Sequence, residues 1–309
     1  MHVQFAGIQL ENPVLAASGT FAYGVEFADI ISIDKIGGFV TKGLSREPMA
    51  GNQPPRIIET AAGMMNAIGL QNIGVQSFIE KKLPGLRAYP KCAVIVNVFG
   101  STVPDYLEVI RQLNDTEGIA AYELNASCPN TSHGGIAFGT DPMTLDELVW
   151  RSKQVATRPL IVKLSPNVTS IPVMARCAEN AGADAISLVN TFIALAIDIE
   201  TRRPRIANVT GGLSGPAIKP IAVRMVWEAA RAVKIPIMGL GGILHPEDAV
   251  EFLLAGATAV QVGTASYADP RAVERIAKGL ENWCTRHHVE KVTDLIGKLN
   301  TSHPEPASS

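Results

Sequence analysis

Short apolar runs rich in Val, Ile and Leu recur along the chain, each too short for a helix and each ending abruptly on polar residues or glycine. Eight are found. Pro13 to Ala17 ends on Ser18, Gly19 and Thr20, Ile36 to Val40 on Thr41, Lys42 and Gly43, and Ala93 to Val96 on Asn97. Ile119 to Leu124 stops at Asn125, Pro159 to Val162 at Lys163, and Ala185 to Val189 at Asn190 and Thr191. Ile235 to Leu240 runs into Gly241 and Gly242, and Ala257 to Val262 into Gly263 and Thr264. Continuous rather than alternating hydrophobicity is what strands covered on both faces require. Between the runs, apolar positions three and four apart predict helices over residues 104–110, 145–149, 173–178, 221–232 and 246–254. Eight β-then-α units predict an α/β fold, a (β/α)8 TIM barrel. A doubly wound open sheet shares this pattern and differs in closure, which a sequence does not display.

The intervals from Lys42 to Asn97 and from Asn190 to Gly241 are longer than a strand, a helix and two short loops need. Extra material in a barrel projects over the C-terminal mouth, so residues 45–75 and 195–216 are expected to wall the pocket. Alternating Val3, Phe5, Ile8 and Leu10 around Gly7 predict an N-terminal hairpin plugging the opposite end. Without a linker, residues 1–300 are expected to form a single domain, with 301–309 as a disordered Ser/Pro-rich tail.

Charge and cysteine usage narrow the function classes. Lys plus Arg total 27 against 29 acidic residues, a net charge of −2, which supplies no general field for nucleic acid or anionic lipid. The four cysteines, at 92, 128, 177 and 284, are too scattered for a metal or iron–sulfur motif and too few for a secreted disulfide framework. Without a leader-like start or a membrane-length apolar run, a cytoplasmic protein is expected, with no membrane and no nucleic-acid partner.

The run ends carry the candidate chemistry. Asn125-Ala126-Ser127-Cys128-Pro129-Asn130-Thr131 places a thiol, amides and hydroxyls where a strand breaks into a loop that continues through His133. Lys163 and Lys42 sit at strand ends beside the core, where an amine needs an anionic partner or a path to water. With Asn97, Asn125 and Asn190 they suit a planar, hydrogen-bond-rich ligand with delocalised negative charge, as in a reduced flavin. Glycines at 241, 242 and 263 let backbone amides approach a phosphate. Asn66 to Leu70, in the first insertion, reads as a ligand loop, and 211–216 as a closing segment or an ordinary turn. Hydrolase triads, zinc helices and P-loops have no counterpart, and no metal is expected.

These motifs, in this order, resemble the dihydroorotate dehydrogenases of pyrimidine biosynthesis over nearly all of residues 1–300. The carriers are Thr41-Lys42-Gly43, Asn66-Ala67-Ile68-Gly69-Leu70, Asn125 to Asn130, Val162-Lys163-Leu164, Val189-Asn190-Thr191, Gly241-Gly242 and Val262-Gly263-Thr264. Cysteine at 128 is similar to the class 1 enzymes, since the membrane-associated class carries serine there and an extra N-terminal segment. The run from Cys128 to Gly135 and the stretch Thr210 to Gly215 resemble the NAD-dependent type B catalytic subunit.

The resemblance implies FMN in this chain, and a partner subunit carrying FAD and a [2Fe–2S] cluster, in a heterotetramer of two catalytic and two electron-transfer chains. It implies oxidation of (S)-dihydroorotate to orotate, with Cys128 as base. Substrate would be held by Lys42, Asn66, Ala67, Ile68, Gly69, Leu70, Asn125, Asn190 and Thr191. FMN would lie on Ser18, Lys42, Gly43, Asn97, Asn125, Lys163, Val189, Gly215, Gly241, Gly242, Gly263 and Thr264. Rival readings are a fumarate-dependent class 1A enzyme, a flavin-free phosphate-binding lyase using Lys163 as a Schiff-base amine, and a binding subunit without activity.

Overall fold

A computed structural model describes residues 1–126 and 135–302. The eight apolar runs form eight short strands: β1 (Val14–Ala16), β2 (Gly38–Val40), β3 (Ala93–Val98), β4 (Ala121–Asn125), β5 (Leu160–Lys163), β6 (Ala185–Leu188), β7 (Ile237–Leu240) and β8 (Ala259–Val262). Each pairs in parallel with the next, and β8 pairs with β1, so the sheet closes in chain order and the open-sheet alternative falls away. Every residue of β1, β2 and β5 to β8 is buried, because one face meets the barrel interior and the other the surrounding helices.

Helices Val103–Asn114, Pro142–Val155, Ile171–Asn180, Lys219–Ala230 and Pro246–Ala255 stand where the periodicity puts them. Further helical segments lie outside those the periodicity predicts. Val75–Lys81 continues into the single turn Leu83–Leu86, and Ala272–Arg286 buries Ala272, Val273, Ile276, Ala277, Leu280 and Cys284 along one stripe. The first unit corrects the expectation of eight β-then-α repeats, since β1 and β2 are joined by two 3-10 turns, Val25–Phe27 and Ile33–Lys35. Phe21 stacks on Phe27 at 4.0 Å between ring centroids, and the Phe39 ring lies 2.4 Å from where a Cβ on Gly24 would sit. The chain is thus pressed onto β2 by aromatic packing that only glycine admits.

The N-terminal hairpin pairs Val3–Phe5 with Ile8–Leu10, buries Phe5 and Leu10 completely, and leads straight into the start of β1. The two insertions do more than wall the mouth. They pair with each other in a four-stranded antiparallel sheet, ordered Phe192–Leu195, Thr210–Ser214, Gly63–Asn66 and Ile57–Thr60. Met65, Ala67 and Ile206 form a small separate core there. The stretch 211–216, expected as a closing segment or a turn, is largely a strand. Its glycines serve close approach, since a Cβ on Gly211 would lie 2.7 Å from the Asn66 carbonyl oxygen and one on Gly212 2.0 Å from Thr191 Oγ1.

Behind the last two strands a carboxylate ties two helices together. Asp248 Oδ2 accepts from the amides of Leu244 (2.8 Å) and His245 (2.7 Å) at the start of Pro246–Ala255, while Oδ1 accepts from Lys219 Nζ at 2.6 Å. Burial pushes the Asp248 carboxyl up, but the Lys219 ammonium and the two amides outweigh it and hold the group below its ordinary range. Burial likewise pushes Lys219 down, and its hydrogen bonds to Asp248 and Glu251 reverse that. A depressed carboxyl contributes stability above its unfolded value of about 3.9 and loses it as pH falls through the folded value; a raised ammonium contributes below about 10.4 and loses it as pH rises through its folded value. Asp248→Asn is expected to cost about 1.5–3 kcal/mol at neutral pH. The deficit should shrink below about pH 4, where wild type loses the same interaction. Urea unfolding of both proteins across that range checks it.

Candidate active site

At the C-terminal ends of the strands a cavity of about 1010 Å³, counted with its open mouth, enters the barrel. Its wall includes Ser18, Lys42, Asn66, Ile68, Gly69, Leu70, Lys163, Val189, Asn190, Thr191, Gly241, Gly242, Gly263 and Thr264. Seven separate stretches of chain therefore converge on one space. The insertion sheet closes one side through Asn66, at the end of its own strand, whose Nδ2 donates to the Gly212 carbonyl at 3.5 Å.

Five of the expected residues are set back from this wall. Ala67 is wholly buried in the small core under the insertion sheet, so any contact it makes runs through its backbone. Gly215, at φ +98, packs behind Gly242 and faces a neighbouring groove. Gly43 sits against Asn97, whose Oδ1 would lie 2.8 Å from a Cβ there. Asn97 is wholly buried, and Asn125 holds the end of β4, where its carbonyl accepts from Tyr106 Oη at 2.9 Å. Cys128 and His133 lie outside the described residues.

Lys163 is the strongest electrostatic feature. It ends β5, is only 6% exposed, and borders the cavity. Among the described residues it forms neither an ion pair nor a side-chain hydrogen bond. An ammonium taken out of water without a counter-charge costs several kcal/mol, so the arrangement favours an electron-rich group in the cavity. Three buried amide oxygens also lack partners among the described residues: Gln261 Oε1, whose side chain borders the cavity, and Asn97 Oδ1 and Asn125 Oδ1, which are set back from it. At Gln261 such an acceptor suits a ligand that supplies the N–H or O–H.

The barrel interior beneath the cavity is polar, which the sequence reading missed. Glu123 of β4, wholly buried, accepts at Oε1 from Asn97 Nδ2 (2.8 Å) and at Oε2 from Ser187 Oγ (2.8 Å) and Gln261 Nε2 (2.9 Å). Glu123, Ser187 and Gln261 come from β4, β6 and β8, alternate strands that fill one layer of an eight-stranded barrel. The available signal was a glutamate inside the otherwise apolar run Ile119 to Leu124, and a glutamine inside Ala257 to Val262.

The last two strands end on glycines for different reasons. Gly241 and Gly242 have φ of +131 and +79, and a Cβ on Gly242 would meet the Gly215 carbonyl oxygen at 2.8 Å. At Gly263 no protein atom would come nearer a Cβ than 3.4 Å, so packing gives no reason for the missing side chain. A group approaching the backbone from the cavity does. Thr264 Oγ1 donates to Ser214 Oγ at 2.8 Å, fastening this end to the insertion sheet.

Comparison with known proteins places the chain in a family. A profile described as dihydroorotate dehydrogenase matches residues 1–283, and the chain belongs to that family. A relative from Citrifermentans bemidjiense, 56% identical over 299 residues (97% of this chain, 98% of that one), is named dihydroorotate dehydrogenase B (NAD(+)), catalytic subunit. One from Solibacter usitatus, 62% identical over 293 residues (95% and 96%), is provisionally named dihydroorotate dehydrogenase A (fumarate). The crystal structure of the Eimeria tenella enzyme with ferulenol superposes at a TM-score of 0.80 with 22% identity, covering 96% of this chain and 88% of that one, which supports the barrel fold. Among the described residues no helix is long and apolar enough to cross a membrane.

Proposed function

We propose that this chain is the FMN-holding catalytic subunit of a dihydroorotate dehydrogenase, oxidising (S)-dihydroorotate to orotate and passing electrons to a partner subunit that reduces NAD. The observation that carries the reading is the buried Lys163 ammonium, unpaired among the described residues, bordering a cavity that the orphaned Gln261 amide also borders. Such a floor fits FMN, whose ring gains negative charge on reduction and whose phosphate suits the bare backbone at Gly242 and Gly263. FMN supplies the hydride acceptor for C6 of the substrate.

The chain's own residues supply the rest. Cys128 takes the proton from C5, next to a carbonyl, as the C6 hydride departs, so the substrate loses two hydrogens and gains a double bond. Lys163 and Lys42 set fixed cations near the ring and the substrate, and Asn66, Ile68 to Leu70, Asn125, Asn190 and Thr191 hold the substrate's amide and carboxylate groups. Ser18, Gly43, Asn97, Val189 and Gly215 complete the FMN surroundings in this reading.

The partner is proposed to carry FAD and a [2Fe–2S] cluster, in a tetramer of two chains of each kind. The relatives named type B support NAD as acceptor. A second reading, fumarate reduction by this chain without a partner, is favoured by the name of the Solibacter usitatus relative. Anaerobic addition of dihydroorotate to the FMN-loaded chain is expected to bleach the flavin. Recovery of colour should follow addition of NAD only when the partner is present. Steady turnover with fumarate by the isolated chain would replace the first acceptor by the second, and protein that stays colourless with added FMN would remove the cofactor.

A further inference from the structure

The activity proposed above makes no use of Glu123. Of the two carboxylates buried among the described residues, Asp248 has Lys219 as its cation, whereas Glu123 has only neutral donors. Keeping a carboxylate there costs several kcal/mol unless each oxygen is met, and three donors from three other strands meet it.

A carboxylate only accepts, so every neighbouring amide must turn its nitrogen toward it. Gln261 is fixed twice, with Nε2 donating to Glu123 Oε2 at 2.9 Å and lying 3.0 Å from Met238 Sδ. Its Oε1 is thereby directed away from Glu123 and is left buried without a partner among the described residues, on a side chain that is 1% exposed and borders the cavity. Asn97 is fixed in the same way, with Nδ2 committed to Glu123, but its Oδ1, without a partner among the described residues, lies against Gly43 behind the cavity wall.

We propose that Glu123 is a positioning residue that locks the Gln261 amide with its oxygen presented as an acceptor toward the ligand, holds Asn97 against Gly43 behind the cavity wall, and sets a negative charge in the barrel floor. This rests on the FMN reading given above. A flavin ring offers an imide N–H to such acceptors, and a buried carboxylate beneath it opposes the charge gained on reduction. Lys163 acts in the other sense, so the two residues together set the reduction potential of the bound flavin.

The test uses the full chain loaded with FMN. E123Q exchanges an acceptor oxygen for a donor nitrogen, so an amide turns over and the negative charge is gone. The FMN dissociation constant is expected to rise about tenfold, and the midpoint potential to rise by about 30 mV, the two-electron equivalent of a tenfold change. A merely structural role would weaken binding and leave the potential where it was. Gln261→Met keeps the carboxylate and the side-chain volume but deletes the acceptor, and is expected to weaken FMN binding about tenfold as well. Should E123Q not fold, unchanged FMN affinity in Gln261→Met overturns the proposal. Wild-type potential and affinity in E123Q overturn it with the flavin reading intact. Wild-type protein that takes up no FMN, seen directly as lack of colour, overturns both.

Discussion

Replacing Cys128 by alanine is expected to slow dihydroorotate oxidation by about 10²- to 10⁴-fold while FMN stays bound, because a general base in the transition state contributes on that scale. The assignment is what the family likeness implies, and the other three thiols offer no competing base. Cys92 is buried and its thiol is pushed up to about 12. Burial raises Cys177 and Cys284 as well, so none of the three is poised to take a proton at neutral pH. Asn125 lies opposite Lys163 in the β4–β5 register, which puts the end of β4 beside the buried ammonium. An ordinary thiol titrates near about 8.5, so the wild-type reductive rate should climb with pH through the thiol's ionisation and the alanine variant should show no such rise. Rapid mixing with dihydroorotate, followed by flavin absorbance, measures both. A variant that bleaches at the wild-type rate would take the thiol out of the mechanism.

How far the sequence carries depends on whether a feature is local. The eight strands were legible because each is dry on both faces, which forces an unbroken apolar run, and because the functional end of each announces itself by a sudden Lys, Asn or Gly. The first connection was misjudged because aromatic packing of Phe21 on Phe27 and the tight turn at Gly24 override the expected βα repeat. The pairing of Gly63–Asn66 with Thr210–Ser214 was beyond reach: its strands lie far apart in the chain, and glycine-rich segments show no alternation from which register could be read. The same limit hid the Glu123 layer. A glutamate within an apolar run signals that donors must exist, but they come from β3, β6 and β8, and only closure brings them together. Lys163 needed no such help, since a lysine ending a buried strand already poses the question of its counter-charge.

That question yields the second large effect. Lys163→Met keeps the length and apolar stem of the side chain and removes its charge. In the ligand-free protein the change is expected to stabilise the fold by about 1–3 kcal/mol, since an isolated buried cation is replaced by a group that prefers the interior. At about 2–4 °C per kcal/mol for a chain of this size class, the apo midpoint should rise by several degrees. With FMN the order inverts. Wild type gains stability on binding by linkage, RT ln(1 + [L]/Kd), whereas the variant, binding more weakly, gains less. Flavin reduction by dihydroorotate should fall by about 10²- to 10³-fold, the scale on which a preorganised electrostatic partner of developing charge contributes. Thermal unfolding with and without FMN, set beside the reductive rate, separates this from both rivals. A Schiff-base lyase would lose its activity in Lys163→Met without any FMN-dependent crossing of the two melting curves, and an ordinary packing lysine would produce neither effect. Equal melting shifts on adding FMN to both proteins would show that the buried ammonium has its counter-charge elsewhere.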